Sequence, residues 1–376
     1  MKARFDTLAK WLAWQENHHP NAIDLGLDRV KAVAERLGVL EPSARVITVA
    51  GTNGKGSCVC ALETLLEASG KRYGAYTSPH LLRYNERVRL AGKPVSDAQL
   101  CEAFARIDEA RGDISLTYFE FGTLAAMDIF NREPLDYWLM EVGLGGRLDA
   151  VNIVAPHIAV LTSVALDHEA WLGDTREKIG REKVGICRPG IPFICAEPNP
   201  PHTVTDHVGE LACKAVWLDQ DFFISEQSVY SANKEQGVEL QTKPLQPQLQ
   251  LTTSRKTIFD ISAVNLPKAS VAAAIEVCLL DDCLPGNAIG LLTQAALTGR
   301  MQKLLSPKGN LLLDVAHNPA SAQLLAKELK RQQYVTSNNK ISAVLAMMAD
   351  KKITEEVTTL LLCVDHIYCS DLNGNA

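Results

Sequence analysis

The chain has 376 residues, which at about 150 residues per domain predicts two or three domains with room for large buried cores. Hydrophobic residues make up 47% and charged residues 22%, and 24 Gly with 17 Pro are too few for a collagen-like or low-complexity chain. A formal net charge of −6 excludes a broad nucleic-acid binder and a basic membrane-surface protein.

From Met1 to Asp6 the chain leads straight into an amphipathic stretch without an apolar signal core. No run approaches the ~18 apolar residues of a spanning helix. The 10 cysteines show neither paired CxxC spacing nor finger-spaced histidines, so they read as reduced core thiols rather than zinc ligands. These features predict a cytoplasmic protein.

Short apolar runs alternate with helical periodicity along the chain. Val46–Ala50 reads as a buried strand, and Val59, Leu62, Leu65 and Leu66 recur at helical spacing from Ser57 to Ser69. Tyr137–Val142, Ile158–Val164, Pro192–Ala196 and Ala215–Leu218 are further strand candidates. This alternation predicts βαβ units and a mostly parallel α/β sheet of P-loop type. From about 227 to 260 the texture turns to Gln, Thr, Ser and Pro, which predicts a β-rich appendage; a helix over 269–280 follows. The segment 281–299 contains the hinge, dividing an N-terminal domain (1–298) from a smaller Rossmann-like α/β domain (299–376). That second domain predicts strands at 310–315, 341–347 and 366–370 with helices at 320–332 and 353–362, thin for an independent core.

Between the first strand and helix lies Gly51-Thr52-Asn53-Gly54-Lys55-Gly56-Ser57. Glycines let successive backbone N–H groups turn toward one anion, and the helix N-terminus adds its positive end. Lys55 suits β/γ-phosphate charge and Ser57 suits Mg²⁺. The strict GxxxxGK[ST] pattern fails, because Gly56 separates Lys55 from Ser57; the bland alternative is a glycine-rich turn with a stray lysine. Glu141 ends the strand over 137–142, before Gly143-Leu144-Gly145-Gly146, and His168 follows the strand over 158–164. Each alone reads as a solvated or structural residue, but ligands in open α/β sheets sit where strand ends converge. In the second domain, Asp314-Val315-Ala316-His317-Asn318-Pro319 repeats the arrangement, with Asn318 also suited to cap the next helix.

Together these motifs resemble the bifunctional dihydrofolate synthase/folylpolyglutamate synthase family of the Mur ligase superfamily. The resemblance rests on IDLGLDRV (23–30), GTNGKGS (51–57), TSPHL (77–81) with NERV (85–88), TYFEFGT (117–123) and EVGLGGRLDAVN (141–152). It continues through TSVALDHEAWLG (162–173), GREKVGI (180–186), GRMQ (299–302) and DVAHNP (314–319). It implies an ATP-dependent amide ligase that joins L-glutamate to dihydropteroate and to reduced folates through an acyl phosphate. It assigns Thr52, Asn53, Gly54, Lys55, Gly56, Ser57, Ser270, Arg300 and Asp314 to ATP, with His317 near the phosphates and Lys55, Lys183 and His317 as the catalytic set. Ser78, Glu141 and His168 match Mg²⁺ positions, supported by Ser57. Lys183, which from the residues alone reads as an exposed helix lysine, matches a carbamylated lysine that would help hold a second Mg²⁺. Ile23, Asp24, Leu25, Thr117, Tyr118, Phe119, Glu120, Leu148, Asp149 and Ala150 match the pterin pocket, with Asp149 as the hydrogen-bonding candidate. The family's usual behaviour implies a monomer, without nucleic-acid or membrane partners.

Two departures stand out. Leu266-Pro267-Lys268-Ala269-Ser270 places serine where the family shows asparagine, keeping a donor and acceptor but losing the amide's reach. The chain also ends where relatives continue, which predicts an incomplete second domain and makes a shortened, inactive nucleotide-binding relative the rival to an active ligase. A cell-wall ligase is disfavoured by TSPHL and TYFEFGT, and a generic P-loop kinase leaves DVAHNP unexplained.

Overall fold

The computed structural model describes residues 3–227, 248–307, 309–333, 340–348 and 351–370. Strands β1 (Arg45–Ala50), β2 (Tyr73–Tyr76), β3 (Val88–Leu90), β4 (Lys93–Pro94), β5 (Tyr137–Glu141), β6 (Ile158–Leu161), β7 (Pro192–Cys195) and β8 (Lys214–Trp217) form one sheet. Its order is β4-β3-β2-β5-β1-β6-β7-β8. From β2 to β8 neighbours are parallel, and only β3 and β4 add antiparallel at the edge. The helices of this domain are α1 (Leu8–His18), α2 (Asp28–Leu37), α3 (Lys55–Ala68), α4 (Asp97–Arg111), α5 (Tyr118–Asn131), α6 (Glu169–Leu172), α7 (Arg176–Val184), α8 (His202–Glu210), α9 (Lys268–Leu280) and α10 (Ala288–Leu292).

Both faces of the sheet are covered, which is why its central strands read as unbroken apolar runs. Alternate side chains go to opposite cores: Val46 and Ala50 of β1 join Trp138 and Met140 of β5 beneath α1, α2, α4, α5, α7 and α8. Ile47 and Val49 join Leu139 on the other face, beneath α3, α9 and α10. The strand order reverses about β1, so the carboxyl ends of β1, β5 and β6 open onto one crevice.

The β-rich appendage is a three-stranded antiparallel sheet of β9 (Phe223–Gln227), β10 (Gln248–Thr252) and β11 (Ile258–Asp260). The rest of the stretch expected there, 228–247, lies outside the described residues. In the C-terminal region, β12 (Gln302–Leu304) pairs antiparallel with β13 (Leu311–Leu313). After α11 (Pro319–Gln333), β14 (Ser342–Leu345) pairs parallel with β15 (His366–Cys369), flanking α12 (Ile353–Leu360). The expected βα series is present as β13-α11-β14-α12-β15, with β12 added before it; among the described residues the strands form two separate pairs. Both pairs bury one face only: Leu312 and Leu345 enter a small core with Ala326, Leu329, Leu360 and Cys363 while Leu311, Leu313 and Val344 stay exposed. All 10 cysteines are free thiols, and Cys369, expected in a core, is exposed on β15. No described helix is long and apolar enough to cross a membrane.

Candidate active site

A cleft of about 1010 Å³ lies over the carboxyl ends of β1, β5 and β6 and is closed from the other side by residues 296–298, 300, 315, 317, 348 and 351. The phosphate-loop candidate forms its floor. The loop is pinned by the segment after β6: Thr52 N–H donates to Ser163 O (2.9 Å), Asn53 N–H to Ser163 Oγ (2.9 Å), and Thr162 Oγ to Asn53 O (2.7 Å). Thr52 Oγ donates in turn to Ala165 O (3.2 Å). Gly51 must be glycine, because a Cβ there would sit 1.9 Å from Thr162 Oγ. Ser270, from α9, donates to Gly54 O (3.0 Å), so the serine that departs from the family pattern braces the loop from below. Lys55 opens α3 and donates through Nζ to Gly51 O (2.9 Å) and Thr52 O (3.1 Å), which holds the ammonium within the loop. Burial lowers its pKa, against the opposing pull of Glu141.

Glu141, the last residue of β5, accepts from Ser78 N–H (3.2 Å). Burial raises its pKa, offset in part by Lys55, the Ser78 N–H and Arg300. His168 lines the same cleft in a left-handed conformation (φ 51°), just before α6. Lys183, on α7, is 4% exposed and has no hydrogen-bond or ion-pair partner among the described residues. Burial and then the Lys55 charge push its pKa down to about 7.

The pterin-pocket candidates gather at the other end. Asp24 binds Arg29 (Oδ2 to Nη1, 2.9 Å), and Arg29 reaches Glu120 (Nη2 to Oε1, 3.2 Å). Thr117 and Glu120 form a capping box at the start of α5: Thr117 Oγ accepts from Glu120 N–H (3.2 Å) and Glu120 Oε2 from Thr117 N–H (2.7 Å). Asp149 spends its carboxylate on the protein itself, accepting from Gly143 (3.0 Å), Leu144 (2.8 Å) and Val151 (2.9 Å) N–H groups. Burial nonetheless pushes its pKa up to about 6.

Of the residues singled out in the sequence, Ile23, Asp24, Leu25, Thr52 to Gly56, Ser78, Thr117, Phe119, Glu120, Glu141, Leu148, Asp149, Ala150, His168, Lys183, Arg300 and His317 line this one cleft. Four do not. Ser57 is 2% exposed beneath the loop, and Ser270 lies behind Gly54. Tyr118 turns its ring edge-on to Tyr84 (5.5 Å). Asp314 accepts from Met301 N–H (2.9 Å) and Ala316 N–H (2.8 Å), shaping the turn beside Arg300 rather than facing the cleft.

Arg87 and Asp167 line the cleft although the sequence did not single them out, and Arg29 supports it from outside the lining. Arg29 lay inside the quoted IDLGLDRV motif. Arg87, in NERV, lies over the rings of Tyr84 (5.4 Å) and Tyr118 (5.6 Å) and donates to His80 Nδ1 (2.9 Å). Asp167 pairs with Lys351 (3.0 Å) and His317 (3.4 Å), although Asp167 directly precedes His168. Asn53 and Asn318 exchange side-chain hydrogen bonds (2.9 and 3.0 Å), joining the phosphate loop to the N-cap of α11.

Among the described residues no group of three or more His, Cys, Asp or Glu side chains stands together as a metal cage. The expected cation positions in the cleft offer a hydroxyl (Ser78), a buried carboxylate (Glu141) and an imidazole (His168). That set fits a hard divalent cation which completes its coordination with water and nucleotide oxygens.

A family model described as "Dihydrofolate synthetase, C-terminal domain" matches residues 298–373. The dihydrofolate synthase/folylpolyglutamate synthase of Escherichia coli K12 is 41% identical over 369 residues, covering 98% of this chain and 82% of that protein. The chain belongs to the dihydrofolate synthase/folylpolyglutamate synthase family. Solved members of that family share its fold throughout. The E. coli FolC complex with DHPP and ADP superposes with a TM-score of 0.87 at 40% identity, covering 100% of this chain and 86% of that one. A bifunctional folylpolyglutamate synthase/dihydrofolate synthase with Mn, AMPPNP and L-glutamate bound gives a TM-score of 0.85 at 40% identity, covering 99% of this chain and 86% of that one.

Proposed function

We propose that this enzyme is an ATP-dependent carboxylate–amine ligase that adds L-glutamate to 7,8-dihydropteroate and to reduced folates. The observation that carries the reading is the convergence of the phosphate loop, Glu141, His168, Lys183 and the second domain's Arg300 and His317 on one cleft. A carboxylate has no leaving group, so its oxygen attacks the γ-phosphorus of ATP and ADP departs. The glutamate amine then attacks the acyl carbon, loses its proton, and the C–O bond to phosphate breaks.

The chain's contribution is positioning and charge. The backbone N–H groups of 54–56, at the start of α3, face the phosphates, while those of Thr52 and Asn53 hold the loop on Ser163; Lys55 neutralises the transferred group, and Arg300 and His317 approach from the second domain. Enclosure between the two domains keeps water from the acyl phosphate. Ser78, Glu141 and His168 would hold Mg²⁺, with Lys183 as a carbamate supporting a second ion; the metal supplies charge neutralisation on phosphate oxygens. A buried lysine with its pKa near 7 is largely neutral above that pH, and only the neutral amine captures CO₂. Ile23, Asp24, Leu25, Thr117, Phe119, Glu120, Leu148 and Ala150 form the pterin end. Asp149 acts there through the 143–144 turn that it holds.

The test is phosphate release from Mg·ATP with dihydropteroate and L-glutamate, each omitted in turn, with the product's mass determined. Release that needs both, with one glutamate added, establishes the synthase step, and a parallel reaction on a reduced folate establishes extension. ATP binding without either release would sink the ligase reading.

A further inference from the structure

Two consecutive lysines of the second domain meet two acidic residues that bracket His168. Lys351 Nζ lies 3.0 Å from Asp167 Oδ1, a pair with side chains only 12% and 9% exposed. Lys352 Nζ lies 2.6 Å from Glu169 Oε1. The other Asp167 oxygen accepts from Asn318 Nδ2 (3.1 Å) and faces His317 Nε2 (3.4 Å). Between the two pairs, His168 holds a left-handed backbone conformation (φ 51°) and donates its own N–H to Asp167 Oδ1 (3.0 Å), a conformation uncommon for a non-glycine residue though less so for histidine than for most. Within the first domain the imidazole itself has no hydrogen-bond partner among the described residues, so the turn, not the ring, is what is held.

We infer that Lys351 and Lys352 are positioning residues that aim His168 by clamping residues 167 and 169 from the second domain. Lys352 is the N-cap of α12, with Lys351 just before it, and Asn318 caps α11, so the contacts come from the starts of two helices. The consequence is coupling: when the second domain docks, the same contact that brings Arg300 and His317 to the cleft fixes a cation ligand of the first domain. The inference rests on His168 as a metal position.

The experiment measures Mn²⁺ binding to the enzyme–ADP complex by electron paramagnetic resonance, with ADP binding in EDTA measured in parallel. Lys351→Met/Lys352→Met is expected to weaken Mn²⁺ binding about 10- to 100-fold, the range found when groups that orient a ligand are removed, a loss larger than the change in ADP binding measured in EDTA. Lys352→Glu alone weakens Mn²⁺ binding, and adding Glu169→Lys to it restores most of the loss, an effect that a merely destabilised domain does not produce. Parental Mn²⁺ affinity in the double-methionine variant, or no recovery in the swapped pair, overturns the clamp. His168→Ala separates the two failures: if it loses Mn²⁺ affinity while the lysine variants do not, only the clamp fails. If it keeps parental affinity, the metal role of His168 fails and takes the clamp with it.

Discussion

Lys183 carries an open conflict between burial and charge in the cleft. Its pKa of about 7 lies below the ordinary 10.5, driven first by burial and then by Lys55. Two outcomes follow. Lys183→Ala is expected to lower turnover about 100-fold or more, with partial rescue by formate or acetate, which fill the carbamate's place; near-normal steady-state turnover would remove the carbamate. The second outcome concerns stability. Between pH 7 and 10.5 the unfolded lysine binds a proton that the folded one has given up, so the parent's unfolding free energy gains up to about 1.4 kcal/mol per pH unit from this group as pH rises. Urea unfolding of the parent and of Lys183→Met at pH 7 and pH 9 should show that gain in the parent alone. An equal pH dependence in both would mean that the lysine is charged when folded. Nothing in the local sequence announces this burial, because α7 is polar along most of its length (Arg176-Glu177-Lys178-Ile179-Gly180-Arg181-Glu182-Lys183). Only the tertiary packing of α7 beside the cleft separates Lys183 from its solvated neighbours.

At the scale of elements, strands β1, β5 and β6 were legible because burial on both faces writes an uninterrupted apolar run. The edge was not: β3 and β4 are three and two residues long, and Val88-Arg89-Leu90 places a charged residue within its strand. Helix α5 lies between these cases. Thr117-Tyr118-Phe119-Glu120 has the S/T-x-x-E spacing of a capping box, yet the stretch drew notice only through its family resemblance. The box does more than start a helix, since its Glu120 also reaches Arg29 and through it the loop that carries Asp24. Thr117→Ala is therefore expected to cost about 1 kcal/mol of stability in urea unfolding. It should also raise KM for dihydropteroate several-fold while leaving KM for ATP unchanged. A rise in both, or in neither, would detach the cap from the pterin end.

Across the whole molecule, the two domains meet through part-buried polar contacts, among them Asn53 with Asn318 and Asp167 with Lys351, around a cleft that each half-encloses. No periodicity in the sequence reveals contacts between residues 265 or 184 positions apart. The proposed boundary is a different kind of signal, because Thr298-Gly299 offers a turn in the chain itself. Gly299 takes φ +67°, and a Cβ there would come within 3.0 Å of Leu81 Cδ1 from the first domain and 3.1 Å of Val315 Cγ1 from the second. Its N–H and C=O are both engaged, by Gln302 Oε1 (2.9 Å) and Val315 N–H (2.9 Å), so it cannot relax without giving up the turn that presents Arg300. Gly299→Ala imposes a left-handed alanine costing about 1–2 kcal/mol and wedges a methyl group between the domains at the point where they turn. If residue 299 is the hinge, kcat falls and KM for ATP rises together by about tenfold, while the Tm of the 1–298 domain is little changed, because its cores lie on the far sides of the sheet. Steady-state kinetics beside a thermal melt decide the matter. A lower Tm with unaltered kinetics in the surviving enzyme would make Gly299 a structural turn and move the pivot elsewhere in 281–298.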